Sequence, residues 1–136
     1  MREFMELIDV GQKARELSGR YENTIISWNN DHVLRISRMT EPYFWHYHPD
    51  SDETFFGIEG VLILELEHLR IELGPGQIFT VPKGIRHRTS PAGSHSINLT
   101  LERADTETVR TDPPALSTED VPRMVEKSLR KMLSDR

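Results

Sequence analysis

Between residues 24 and 103 the chain is cut into short β-rich segments by clusters of turn residues, and this punctuation restricts the fold more than any other feature. Segments at 24–28, 32–39, 44–48, 53–58, 61–66, 69–73, 77–81, 87–89 and 95–101 are rich in Val, Ile, Leu, Phe and Thr. Between them stand Pro49-Asp50-Ser51-Asp52, Glu59-Gly60, Gly74-Pro75-Gly76, Pro82-Lys83-Gly84 and Pro91-Ala92-Gly93, whose residues preset or tolerate turn dihedrals. Joining parallel strands takes a crossover of about a dozen residues, usually a helix, and no gap here is that long. The expectation is an all-β fold, an antiparallel sandwich or barrel.

The flanks read differently. Residues 9–19 predict one short helix in an N-terminal segment spanning 1–23, because Asp9 can cap, Gln12 sits at the capping-box position, Val10, Ala14 and Leu17 share a face, and Gly19 stops it. Residues 104–117 are polar and contain Pro113-Pro114, which predicts a linker or extended arm after a barrel spanning 24–103. Residues 118–136 predict a C-terminal amphipathic helix: Pro122 fits only a first turn, and Val121, Met124, Val125, Leu129 and Met132 share one face.

Composition removes several classes of function. The 136 residues include no cysteine, which excludes disulfides, thiolate nucleophiles and cysteine-based metal sites and leaves histidine, carboxylate and water as candidate ligands. A formal net charge of −5 offers no basic stripe for phosphates, so no nucleic-acid partner is expected. No apolar run approaches the length that crosses a bilayer. The first residues place acids inside their only apolar stretch, unlike a secretory leader, so a cytoplasmic protein is expected.

Within this frame one constellation carries chemistry. On a strand, residues two apart face the same way, so His46 and His48 in Phe44-Trp45-His46-Tyr47-His48 project together. Glu53 follows a four-residue polar turn and can aim a carboxylate at the same point. Further on, Gly76 allows a tight entry, and Pro82-Lys83-Gly84 supplies a bend just before His87.

These residues spell His-x-His-x4-Glu-x6-Gly (His46, His48, Glu53, Gly60) and Gly-x5-Pro-x-Gly-x2-His (Gly76, Pro82, Gly84, His87), the two motifs of the cupin superfamily. Eight positions in order, each with a chance on the order of 1 in 20, make coincidence negligible. Thr40 stands where the family usually has glycine and Pro91 where it usually has asparagine; neither is a ligand position. The run from Trp45 to Glu53 most resembles short bacterial cupins of the mannose-6-phosphate-isomerase-like group. The resemblance implies a cupin jelly-roll antiparallel β-barrel, and a single divalent metal ion, Fe, Mn, Zn or Ni, held by His46, His48, Glu53 and His87.

Three histidines and one carboxylate leave two positions of an octahedral ion open to a small oxygen-bearing molecule, which suits a dioxygenase or an isomerase. The alternative is a non-catalytic protein that binds or senses a small sugar or acid. Phe44 shares strand parity with His46, and Phe55 with Glu53, so both are expected to line a largely apolar pocket. Trp45 and Tyr47 point the other way and need cover, which favours a homodimer. Asp52 is a candidate for orienting a ligand imidazole, and Arg35, Arg38, Arg86 and Arg88 are candidates for an anionic substrate. Outside the motifs, His95 is a weaker candidate for the cavity, and His68 falls at an expected hairpin tip.

Overall fold

A computed structural model of the chain describes residues 5–114. It contains α1 (Val10–Glu16) and then β1 (Tyr21–Asn29), β2 (His32–Met39), β3 (His46–Tyr47), β4 (Glu53–Glu59), β5 (Leu62–Leu66), β6 (Arg70–Leu73), β7 (Ile78–Val81), β8 (His87–Pro91), β9 (Ser96–Arg103) and β10 (Val109–Arg110). The C-terminal helix expected at 118–136 lies outside the described residues. Among the described residues no helix is long and apolar enough to cross a membrane.

Every strand pairing is antiparallel, and the strands form two sheets in the orders β1-β2-β9-β4-β7 and β10-β3-β8-β5-β6. Apart from the β1–β2 and β5–β6 hairpins, which each stay within one sheet, successive strands alternate between the sheets, so the chain rolls up a double-layered barrel, the jelly-roll form. Inward side chains of both layers make the main core: Met39, Phe55 and Val81 from the first sheet meet Leu62, Leu64 and Leu66 from the second. Leu62, Leu64 and Val81 are at most 2% exposed, and each such burial contributes about 1.5–3 kcal/mol.

The opposite face of the first sheet is also apolar, because α1 covers it. Ala14 packs with Ile36, Ile97 and Leu99, and Val10 and Leu17 close the edges. The Asp9 carboxylate accepts from the Gln12 backbone N–H at 3.0 Å, as the capping reading requires, but the helix ends at Glu16, three residues before Gly19, whose φ of +83° serves the turn into β1. At Thr40, where a glycine is usual, no left-handed backbone is needed: the only described non-glycine residue with positive φ is Asn30. Thr40 instead donates from its N–H and hydroxyl to the Arg20 carbonyl, at 2.9 and 3.1 Å.

One glycine sets how closely the strands approach the 74–77 turn. The Gly57 N–H donates to the Gln77 carbonyl at 2.8 Å, and its own carbonyl accepts from Gly76 at 2.9 Å; a Cβ at Gly57 would lie 2.1 Å from the Gly74 carbonyl oxygen. Gly57→Ala is expected to destabilise the fold by about 1–3 kcal/mol through this backbone clash. Gly76→Ala, with φ +80° but open space around it, is expected to cost about 1 kcal/mol. Urea melts rank the pair; an equal or reversed order would mean that the turn yields to the added methyl.

Candidate metal centre

The four motif residues come from both sheets. His46 on β3 is in register with His87, the first residue of β8, while Glu53 opens β4 opposite Val81 of β7. His48 follows β3 directly, on the same side as His46. All four are buried, and each offers a donor atom within 4.8 Å of the others. Glu53 Oε1 lies 3.1 Å from His48 Nε2 and 3.2 Å from His87 Nε2, and the His46 and His87 ring centroids are 4.3 Å apart. Metal–nitrogen bonds of about 2.1 Å place neighbouring donors about 3 Å apart and opposite ones about 4 Å apart, so these residues can hold one divalent ion with a small inward adjustment of the widest pair.

The orientation of each imidazole is held from behind. His46 Nδ1 donates to the Phe44 carbonyl at 2.8 Å, His87 Nδ1 to the Ile85 carbonyl at 2.9 Å, and His48 Nδ1 to the Glu107 carbonyl at 2.9 Å. A carbonyl only accepts, so the proton sits on Nδ1 and Nε2 is the atom turned toward the centre. Glu107 belongs to the stretch expected as a linker or arm. That stretch returns to the barrel as β10, paired with β3, and Thr108 reaches the cavity.

The second motif's bend docks on the first motif. The Gly84 N–H, at a φ of +81°, donates to the His48 carbonyl at 2.8 Å, and the Lys83 N–H donates to Asp52 Oδ1 at 2.9 Å. Asp52 therefore anchors the turn that leads to His87.

The low-polarity surroundings shape the charges. Burial, with the nearby His87, lowers His46 to about 4, so it is neutral and able to bind a metal at neutral pH. Burial pushes Glu53 up, but hydrogen bonds from His48 and His87 outweigh it and bring the carboxyl down to about 2. Burial also opposes charge on His48, yet the Glu53 carboxylate and the Glu107 carbonyl raise it to about 9. Glu102 goes the other way: burial first, then the Glu53 charge, raises it to about 7.

Above the cluster opens a cavity of about 90 Å³. The expectation of a largely apolar pocket does not hold. Phe55 and Met39 contribute to its wall, but Ser37, Asn98, Thr100 and Glu102 of the first sheet line it together with Thr89 and Thr108. Phe44 stacks on Tyr43 at 4.1 Å, with its ring 5.5 Å from that of His46, and the Arg110 guanidinium lies over it; it is not among the residues lining the cavity. The polar wall was visible in the sequence only as the alternation Ser96, Asn98, Thr100, Glu102, which by itself reads as a solvent face.

The remaining candidates are placed elsewhere. Arg86 pairs with Glu67, Arg88 with Glu65 at 2.8 Å, Arg38 with the Gly19 carbonyl and Arg35 with Glu102 at 3.4 Å. His95 pairs with Glu59 at the barrel's surface, and His68 sits in the β5–β6 hairpin. Trp45, expected to need cover from elsewhere, is buried within the chain with the Arg88 guanidinium 5.5 Å from its ring centroid.

A jelly-roll barrel with three histidines and a glutamate converging inside it defines a cupin, and residues 37–99 match the Cupin domain family. The chain belongs to that family. It is 37% identical over 97 residues to the uncharacterized protein YdbB of Bacillus subtilis, an alignment spanning 71% of this chain and 85% of YdbB. Among solved structures it is similar to a cupin-2 domain containing protein of Shewanella frigidimarina, with TM-score 0.67 and 24% identity over 71% of this chain and 94% of that one. It is also similar to the DMSP lyase DddQ of Ruegeria pomeroyi, with TM-score 0.61 and 25% identity over 71% of this chain and 54% of DddQ.

Because His48 is held protonated up to about pH 9 and a ligating imidazole must be neutral, metal uptake should release a proton. Calorimetric titration of stripped protein with Zn²⁺ at pH 8, in buffers of different ionisation enthalpy, is expected to show about one proton leaving per ion. The release should fade above pH 9, and affinity should drop about tenfold per pH unit below it. No release at pH 8 would contradict the charged His48–Glu53 pair.

Proposed function

We propose that this chain is a metal-dependent cupin in which His46, His48 and His87 through Nε2, and Glu53 through its carboxylate, hold one divalent ion that receives a small oxygen-bearing molecule. The observation that carries the reading is the convergence of four buried donors with every Nδ1 committed to a backbone carbonyl. An ion so held supplies Lewis-acid polarisation of a bound carbonyl or hydroxyl and, if it is iron or manganese, a place for dioxygen. The protein's own contribution is orientation: two sheets fix the donors, and the cavity above them admits a molecule from one side.

Enzymatic turnover, by isomerase, lyase or dioxygenase chemistry, is the favoured use of the site. The similarity to a protein described as a DMSP lyase supports metal-assisted chemistry on a small molecule in a barrel of this kind. The run from Trp45 to Glu53 supports placement with the mannose-6-phosphate-isomerase-like cupins. A cytoplasmic location and a homodimer complete the proposal; the half-exposed Tyr21, Ile25 and Trp28 on edge strand β1 support a dimer contact there.

Purified without a tag, the wild-type chain is expected to carry one ion, and His46→Ala and His87→Ala are each expected to lose stoichiometric metal while keeping the β-sheet circular dichroism. Elemental analysis by plasma mass spectrometry reads the ratio. Both variants retaining the wild-type ratio would falsify the assignment. Oxygen uptake and turnover against small acids, diketones and sugar phosphates then separate enzyme from sensor; tight binding without turnover favours a non-catalytic binding protein.

A further inference from the structure

The wall that faces the proposed ion carries a buried acceptor that the described protein leaves without a donor. Glu102 is 8% exposed, and its Oε1 meets Arg35 Nε at 3.4 Å. Its Oε2 has no hydrogen-bond partner among the described residues, lies 3.9 Å from His48 Nε2 and belongs to a side chain that lines the cavity. A buried carboxylate oxygen is stabilised by a donor, and a molecule entering this cavity can bring one.

Resting on the metal reading above, we propose that Glu102 centres a hydroxyl-reading subsite, and that the molecule taken by this cavity is a small, neutral, polyhydroxylated compound rather than a carboxylate. One of its oxygens faces the ion while a neighbouring hydroxyl donates to Glu102 Oε2. The rest of the wall suits this chemistry. On β2 and β9 the residues two apart facing the cavity are Ser37, Asn98 and Thr100, neutral groups that donate and accept, and the Ser37 hydroxyl already donates to Asn98 Oδ1 at 3.2 Å.

An anion finds little here. Among the described residues no lysine or arginine lines the cavity, and Arg35, which stands behind Glu102, is engaged by that carboxylate and by Asn23 Oδ1 at 3.3 Å. A carboxylate ligand would add a negative charge beside Glu53 and Glu102, where Arg35 is already paired with Glu102, and it has no proton to offer Oε2. Size and rim agree. The cavity's 90 Å³ equals about three water volumes, which limits the part of a ligand held inside to a few atoms. Tyr21 and Tyr43, stacked at 5.3 Å, give the entrance a flat apolar side for C–H groups.

The test uses the full chain loaded with Mn²⁺, whose unpaired electrons broaden the proton resonances of anything bound beside it. Glycerol, erythritol and dihydroxyacetone are titrated against acetate and propionate. Wild type is expected to broaden the hydroxylated probes and to bind them at least about tenfold more tightly than the carboxylates. In Glu102→Gln the amide oxygen should stay on Arg35 and turn the NH₂ toward the cavity, replacing an acceptor by a donor. The variant is expected to keep one Mn²⁺ per chain and to lose about tenfold in affinity for the hydroxylated probes.

Carboxylates binding in preference to the hydroxylated probes would overturn the subsite, and so would wild-type affinity in Glu102→Gln. Loss of Mn²⁺ from Glu102→Gln would make Glu102 a metal ligand, overturning the subsite while leaving the metal centre standing. A wild type that takes up no ion defeats the metal reading first and the subsite with it. The wild-type preference needs no variant, so poor folding of Glu102→Gln leaves that arm decisive.

Discussion

Three imidazoles and a carboxylate can share the inside of a small barrel only if each is held by hydrogen bonds that leave one atom free, and the rest of this structure is arranged around that requirement. A buried imidazole with an unsatisfied nitrogen is costly, and one that can rotate loses its aim. Here the Nδ1 atoms go to carbonyls of Phe44, Ile85 and Glu107, two of them only two residues from the histidine they hold. Local backbone thus orients His46 and His87, whereas His48 depends on a segment 59 residues further along the chain. The site therefore draws on backbone beyond β9.

That dependence explains which parts of the structure were legible in the sequence. His46, His48, Glu53 and His87 were readable because strand parity and turn chemistry are short-range: a spacing of two between His46 and His48 sets their common face, and a Pro-x-Gly bend sets the return. The bend's actual role, with the Gly84 N–H on the His48 carbonyl and the Lys83 N–H on Asp52, is long-range and leaves no periodic trace. For the same reason the path of residues 104–114 was unreadable; β10 is two residues long and is defined by its partner, not by its own pattern.

The cavity wall was misread through a different ambiguity. Alternation along Ser96-Ile97-Asn98-Leu99-Thr100-Leu101-Glu102 states that the strand has a polar and an apolar face, but does not state which face meets water. In most half-buried sheets the polar face is outside. Here α1 covers the apolar face, with Ala14 against Ile36, Ile97 and Leu99, and the polar face is turned into the barrel. The helix was legible and so was the alternation; their combination fixes the direction only when the helix is known to lie on that sheet. Phe44 failed to line the cavity for a related reason, since regular pairing in β3 begins at His46 and strand parity does not extend back to residue 44.

The barrel's interior carries two kinds of surface. Leu62, Leu64, Leu66, Leu73 and Val81 form a dry core that reaches the ligand residues, Val81 opposite Glu53 and Leu66 opposite His87, while His46, His48, Glu53 and the hydrogen-bonding wall face the cavity. Stability comes chiefly from the first and tolerates a costly set of buried polar groups in the second. The division also separates two kinds of information. Ligand residues determine that an ion can sit in the barrel, and they lie in motifs shared by proteins of many activities. The hydrogen-bonding residues of the first sheet that line the cavity, Glu102, Asn98, Thr100 and Ser37, lie on β2 and β9 outside the candidate metal-ligand positions. That face of the first sheet is where side-chain chemistry can change without disturbing either the four donor residues or the core, so it is the place where one cupin's choice of ligand can diverge from another's.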